Sequence, residues 1–311
     1  VWSSSSGNAP WFSPDANSRA AHDGPEWRAA LQLEFAPARS GDGRVVVDAT
    51  VLARRRHHGP LAVQRAFFPE GPSVCHVYLL HPPGGIVGGD QLRIDVSVAA
   101  GAHALITTPA ATKVYRSAGA QSGQRQRLSV AASGVLEWLP QETILFDGSH
   151  VDLRTRVDLG AGARFIGMET LCFGLPARGE AFGRGRCRQS LELWQDGRPL
   201  LVERGRYDGD APVSAARWGL SGAPVLGTLL AAPAAPGAPL SEAIEEIRAL
   251  SRALPGGDLC AVTVVGQGGA LVCRYLGASA ERCSGFLRAA WGRLRPVLLA
   301  RPALAPRIWA T

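Results

Sequence analysis

The strongest constraint on how this chain can fold is a period of two that recurs from Trp27 to about residue 230. Leu92, Ile94, Val96 and Val98 alternate with Arg93, Asp95 and Ser97; Val151, Leu153, Thr155, Val157 and Leu159 alternate with Asp152, Arg154, Arg156 and Asp158. Successive strand side chains point to opposite faces, so these segments are strands with one face against a core and one in water. Three stretches resemble one another. VSVAAGAHALITTPAA, LSVAASGVLEWLPQE and VDLGAGARFIGMET each set a small-residue turn, at Gly101, Gly134 or Gly162, between two such runs. Turns at roughly thirty-residue intervals are the mark of stacked strand–turn–strand units. An antiparallel sheet rich in Gly and Ala would show the same turns, so the period alone leaves both arrangements open.

Local signals extend this reading. Asp196–Gly197, between SLELWQ and RPLLVER, predicts a two-residue hairpin, because a type I′ turn needs positive φ at both central positions. Gly266 to Gly269 separate AVTVV from ALVCRYL in the same way. Two helices are expected near the C-terminus. In the first, Ser241 is placed as N-cap, Glu242, Glu245 and Glu246 follow near the positive dipole end, and Ile244, Ile247, Leu250 and Leu254 share a face. Pro255-Gly256-Gly257 stops it. The second runs from about Ala280, with Cys283, Leu287, Ala290, Trp291 and Leu294 on one face, and Pro296 ending or kinking it. The expected fold is therefore mainly β, with stacked sheets of β-helix-like strand–turn–strand units and two α-helices near the C-terminus. Residues 1–25, small and polar, are expected to form a disordered tail, and 26–311 a single β-rich domain.

Composition narrows the function classes. With 46% hydrophobic residues the chain can bury a large core, and no apolar run approaches eighteen residues. The N-terminus lacks the charged-then-apolar pattern of a secretory signal, so a soluble cytoplasmic protein is expected. Cys75, Cys172, Cys187, Cys260, Cys273 and Cys283 are scattered without Cys-x-x-Cys spacing and read as small hydrophobes. The net charge is +7, and all but one of the 33 basic residues are arginine. They are spread along the chain among acids rather than gathered into a stripe, which argues against nucleic-acid binding.

The stretch HPPGGIVGGDQLRIDVSVAAGAHALITTPAATKVYRS concentrates the candidate chemistry. Gly84, Gly85, Gly88 and Gly89 are no phosphate loop, because Asp90 stands where a lysine would be needed and a strand, not a helix, follows. Gly84–Gly85 instead favour a tight turn with positive φ, and Gly88–Gly89 a close backbone approach. Asp90 could cap local N–H groups, the commoner role, or present a carboxylate to a cavity. Lys113 and Tyr115 share one strand face, with Arg116 on the other. They read as a surface lysine with its neighbours, or as a polar lining or interface. His57–His58, Cys75–His76 and His81 have no chelating spacing along one strand. There is no Gly-x-Ser-x-Gly elbow, and Glu137 with Glu142 is a carboxylate pair of the kind more often solvated or paired with Arg than catalytic. No catalytic residue is assigned.

Longer strings carry a resemblance. GPLAVQRAFFPEG, CHVYLLHPPGGIVGGD, TTPAATKVYRS, WLPQETILFDG and GMETLCFGLPARGEAF, with the RPALAPRIWAT tail, resemble the urease accessory protein UreD (UreH) family over about residues 27–311. The resemblance implies a non-enzymatic scaffold that binds UreF and, through it, the GTPase UreG, and that docks on apo-urease, with a dimer possible within the complex. It implies no tightly bound cofactor, only nickel in transit along an internal tunnel. Such a passage needs oxygen ligands weak enough to release the ion. In the matched motifs Asp90, Glu142 and Glu180 are the candidates for nickel passage, and Thr107, Thr108, Lys113, Tyr115 and Arg116 for tunnel wall or partner contact. A β-rich carboxylate-dependent hydrolase and a purely structural β-solenoid are the alternatives.

Overall fold

The computed structural model describes residues 27–234, 237–254, 257–266 and 269–310. The expected tail lies outside them. Strands β1 (Arg28–Arg39) and β2 (Val45–His58) form an antiparallel pair, and β3 (Ala62–Val63) leads into β4 (Cys75–Leu80). The chain then coils. β4 passes to β5 (Gln91–Val98); β6 (His103–Thr107) passes through β7 (Thr112–Val114) to β8 (Ser122–Val130); β9 (Val135–Leu139) passes through β10 (Thr143–Leu145) to β11 (His150–Leu159); and β12 (Arg164–Phe173) passes to β13 (Arg186–Gln195). Equivalent strands of successive coils pair in parallel. β4, β6, β9 and β12 line one sheet, and β5, β8, β11 and β13 the other. β7 and β10 pair along a short third side that ends on β12. The protein is a stacked-coil, β-solenoid-like body.

The flanks are mostly antiparallel. β14 (Arg198–Asp208) caps one end of the first sheet, and β1 joins the other end in parallel to β5, giving the order β14-β13-β11-β8-β5-β1-β2. β15 (Val225–Ala232), β16 (Leu259–Val265) and β17 (Ala270–Gly277) extend the second sheet to β16-β17-β15-β12-β9-β6-β4-β3. The helices are α1 (Pro212–Ala215), α2 (Ala238–Arg252) and α3 (Ala280–Leu299), of which α2 and α3 pack on the second sheet.

The three similar stretches are the β5–β6, β8–β9 and β11–β12 corners. Each closes with the same backbone hydrogen bond, Ala102 N–H to Ala99 O, Gly134 N–H to Ala131 O and Ala163 N–H to Gly160 O, at 2.9–3.1 Å. The left-handed residue is Gly101 (φ 73°) or Gly162 (φ 67°), but in the middle corner it is Ser133 (φ 59°), one place before the expected Gly134. Gly134 is required for another reason: a Cβ there would press on the Ala99 and Ala131 carbonyl oxygens of the stacked coil. The Asp196–Gly197 hairpin has φ of 48° and 75°, as its turn type demands.

Two cores result. Inward residues such as Ile94, Leu128, Val157 and Leu193 of the first sheet meet Val77, Ile106, Leu136 and Phe165 of the second. The reverse face of the second sheet buries Leu105, Leu139, Ile166 and Leu229 under Ile247, Phe286, Leu287 and Trp291 of the helices. β6 and β9 are thus buried on both faces, which is why HALIT and VLEWL do not alternate.

The start of α2 differs from expectation, whereas α3 starts at Ala280 as expected. α2 starts at Ala238 with Gly237 as N-cap, three residues before Ser241, because Pro239 fits the first turn with its fixed φ and no N–H to satisfy. It ends at Arg252; Pro255 and Gly256 lie outside the described residues. Pro296 does not end α3, which runs three residues further and closes on Ala300 in the left-handed conformation, its N–H donating to Pro296 O. A proline in the last turn removes only one bond there. The charge distribution also differs: the coil length brings Arg93, Arg125 and Arg154 side by side on the open face of the first sheet, a row that linear spacing hides.

Candidate functional site

The space between the two sheets is not filled along its whole length. A cavity of about 380 Å³ remains, with apolar walls that include Leu92, Ile94, Leu153, Trp138 and Leu230. Some of its polar groups come from inward strand positions that break the apolar period, others, such as His81, Thr108 and Gln141, from the loops between strands. On β8 these read Gln124, Gln126, Leu128, Val130, so that two amides face inward before the leucine. Thr155 on β11 donates to Gln126 Oε1 at 2.9 Å. Deeper, Gln189 Nε2 donates to Glu169 Oε2 at 2.6 Å, and Arg274 donates to Thr228 Oγ1 at 2.7 Å while pairing with Glu203. Burial pushes the Glu169 carboxyl up, and the Gln189 hydrogen bond and the Arg274 charge oppose it only in part. Gln189 Oε1 is buried without a partner. Of these groups, Glu169 and Thr228 line the cavity, while Gln189 and Arg274 hold them from behind.

The glycine-rich loop forms the mouth. Gly84 and Gly89 take positive φ (77° and 93°), while Gly85 and Gly88 are the close approaches: a Cβ on Gly85 would collide with the Tyr115 ring, and one on Gly88 with Ser117 Oγ. Ile86 N–H donates to Lys113 O at 2.7 Å and Tyr115 N–H to Ile86 O at 2.8 Å, zipping the loop onto β7. Asp90 is buried and accepts from Val87 N–H at 3.0 Å, the capping role. His81 lines the mouth, its pKa lowered by burial with Asp90 opposing.

The remaining candidates are dispersed. Lys113 is exposed at the mouth, and Thr108 lines the cavity while accepting from Gln141 N–H at 2.9 Å. Tyr115 packs on Phe146 with ring centroids 5.1 Å apart, and the exposed Arg116 lies over Gly148. Thr107 is committed to the helix side, donating to Leu139 O at 2.6 Å and accepting from Trp309 Nε1 at 2.9 Å. Glu142 is half-buried near Cys172, Cys283 and Arg288. Glu180 is exposed, its backbone bridged to Leu175. Asp90, Glu142 and Glu180 do not line the cavity; Glu169, which the sequence reading missed, does.

A second polar cluster was not anticipated. Glu137 on β9, fully buried, accepts from Trp291 Nε1 at 2.7 Å and from Arg295 of α3 at 2.9–3.1 Å, and lies 2.8 Å from His103 Nε2. Arg295, also fully buried, reaches Glu70 at 2.8 Å, and Glu70 bonds His76 Nε2 at 2.7 Å. Burial alone would raise both carboxyls, but the imidazoles and the guanidinium outweigh it, holding Glu137 low and Glu70 at about 2. Burial also keeps the thiols protonated, pushing Cys75 to about 11 and Cys273 and Cys283 to about 12.

A sequence profile described as UreD urease accessory protein matches residues 28–310, the whole two-sheet body with its helices. The chain belongs to the UreD family. Among its relatives, urease accessory protein UreD of Azoarcus sp. (strain BH72) is 47% identical over 287 residues, covering 92% of this chain and 95% of that protein. The Dechloromonas aromatica (strain RCB) protein of the same name is 45% identical over 287 residues, covering 92% and 96%. That of Alkalilimnicola ehrlichii is 43% identical over 311 residues, covering 100% and 98%. The likeness spans both sheets, so the cavity and the Glu137–Arg295 cluster fall within the UreD-matched region. Among the described residues no helix is long and apolar enough to cross a membrane.

Proposed function

We propose that this UreD-family protein is a non-enzymatic scaffold of urease maturation. It binds UreF and, through it, the GTPase UreG, docks on apo-urease, and lets nickel pass through the space between its sheets. The observation that carries this reading is the cavity of about 380 Å³ in a chain of the UreD family. Its polar wall carries hydroxyl, amide and carboxyl oxygens, among them Thr108, Gln126, Thr155 and Glu169, with His81, Lys113 and Arg154 also lining it. Hard oxygen donors hold a borderline cation weakly enough to pass it on, where a thiolate or imidazole cage would retain it. Glu169 is the carboxyl that faces this space, and its raised pKa suits a ligand that trades a proton for a metal ion. Asp90, beside His81 at the mouth, and Glu142, next to the lining Gln141 and Thr143, would act at its approaches, and the exposed Glu180 on the surface outside.

The test is co-expression with urease, UreF and UreG. Glu169→Gln is expected to lower the nickel content of urease while UreF still co-purifies, and Asp90→Ala and Glu142→Ala to do so as well. Normal nickel loading with Glu169→Gln would place the passage outside the cavity. Failure of UreF to co-purify with the wild-type protein would reject the scaffold reading itself.

A further inference from the structure

The two outer faces of the molecule are treated differently. Helices α2 and α3 cover the second sheet, whereas the first sheet shows its outward residues to solvent, and these are dominated by arginine. Three adjacent parallel strands carry Arg93, Arg125 and Arg154 at one register, and Arg204 continues the row beyond Ser190. In the next row Arg127 and Arg156 stand side by side between Asp95 and Glu192. Strand spacing sets such neighbours only about 4.8 Å apart, and like charges so placed repel. Three of the acids bond along their own strands, Arg93 to Asp95 at 2.7 Å, Arg154 to Asp152 at 2.6 Å and Arg156 to Asp158 at 2.8 Å, while Glu192 reaches across strands to within 3.8 Å of Arg156 and 3.6 Å of Arg204. Central strand β8 contributes Arg125 and Arg127 and no acid.

We propose that this face is a docking surface for a folded protein bearing a flat, acid-rich patch. Seven strands span about 30 Å, and about nine residues along each add a similar length, a face of the order of the ~800 Å² that one partner contributes to a stable interface. The in-strand ion pairs hold guanidinium groups in place before contact, which lowers the ordering cost of binding. A protein fits better than nucleic acid. Base stacking needs open aromatic faces, and Trp194 on this sheet is covered by the Arg156 guanidinium at 4.4 Å.

The proposal rests on the maturation reading for its probes, apo-urease and UreF, each titrated separately. Arg125→Glu/Arg127→Glu is expected to weaken binding to one of them about 100-fold and to flatten its salt dependence, while Arg125→Lys/Arg127→Lys stays near wild type. Thermal melts check folding; if the first variant does not fold, Arg127→Glu/Arg204→Glu, both at exposed positions, takes its place. Unchanged affinity for both probes overturns the docking face and leaves the scaffold reading standing. Equal losses in the Lys and Glu variants overturn it as a structural effect, and a loss confined to heparin or an RNA oligonucleotide overturns it in favour of a polyanion site. If the wild-type protein binds neither probe, the maturation reading fails and the docking proposal falls with it.

Discussion

Arg295 illustrates how much one side chain organises here. It has no solvent-exposed surface, and it bonds Glu137, Glu70 and the Pro302 carbonyl at once. Removing one partner of a buried ionic group strands the others, at a cost of about 3–5 kcal/mol. Arg295→Ala is therefore expected to lower stability by about that amount in urea titrations at neutral pH. The pH dependence has a definite sign. Glu70 is held at about 2 against an ordinary 4.5, so its contribution is complete above about pH 4.5 and is lost as the pH falls towards 2. The gap between wild type and Arg295→Ala should accordingly narrow on acidification; a gap that is constant from pH 7 to about pH 3 would contradict the assigned coupling. Nothing local in the sequence announces this cluster, because Glu137 and Arg295 lie 158 residues apart and Arg295 reads as one more surface arginine.

At the level of elements, the loop from His81 to Asp90 is shaped by collision as much as by dihedral angle. Gly85 lies under the Tyr115 ring, which packs on Phe146 in turn. Gly85→Ala should cost about 1–3 kcal/mol by overpacking, and combining it with Tyr115→Ala should recover part of that loss in the same melt. An additive double variant would mean that the glycine is needed for some other reason. The strands of the first sheet were legible because only one of their faces is buried, so β5 and β11 alternate cleanly. β6 and β9 were less legible, being covered on both sides. Gln124 and Gln126 did carry a readable signal for the cavity, as polar residues in phase with Leu128 and Val130. Glu169 did not, since Met168 and Thr170 on either side conceal its face. Ser241 lost the α2 N-terminus to Pro239, a preference for fixed φ over a side-chain cap.

The whole molecule is a coil stack roofed on one side by helices. The roof buries the reverse face of the second sheet, including Leu105, Leu139, Ile166 and Leu229. A chain ending at Ser279 would lack α3 and expose that face together with the Glu137 carboxylate. It is expected to be insoluble, or to bind a hydrophobic dye and show no cooperative melt. A soluble, cooperatively melting truncation would show that the two-sheet body is self-sufficient. Side-by-side arginines on the opposite face follow from the same geometry: a coil of about thirty residues turns separation along the chain into adjacency in space.

The distance from Glu137 to Arg295 also has a meaning in time. During synthesis the carboxylate emerges 158 residues before the guanidinium that neutralises it. Until then, of the side chains bonded to that carboxylate, only His103 is in place, and the apolar groove stands open. The nascent protein must wait in this half-roofed state, so its vulnerability to chaperones and proteases is set by how fast the ribosome delivers α3.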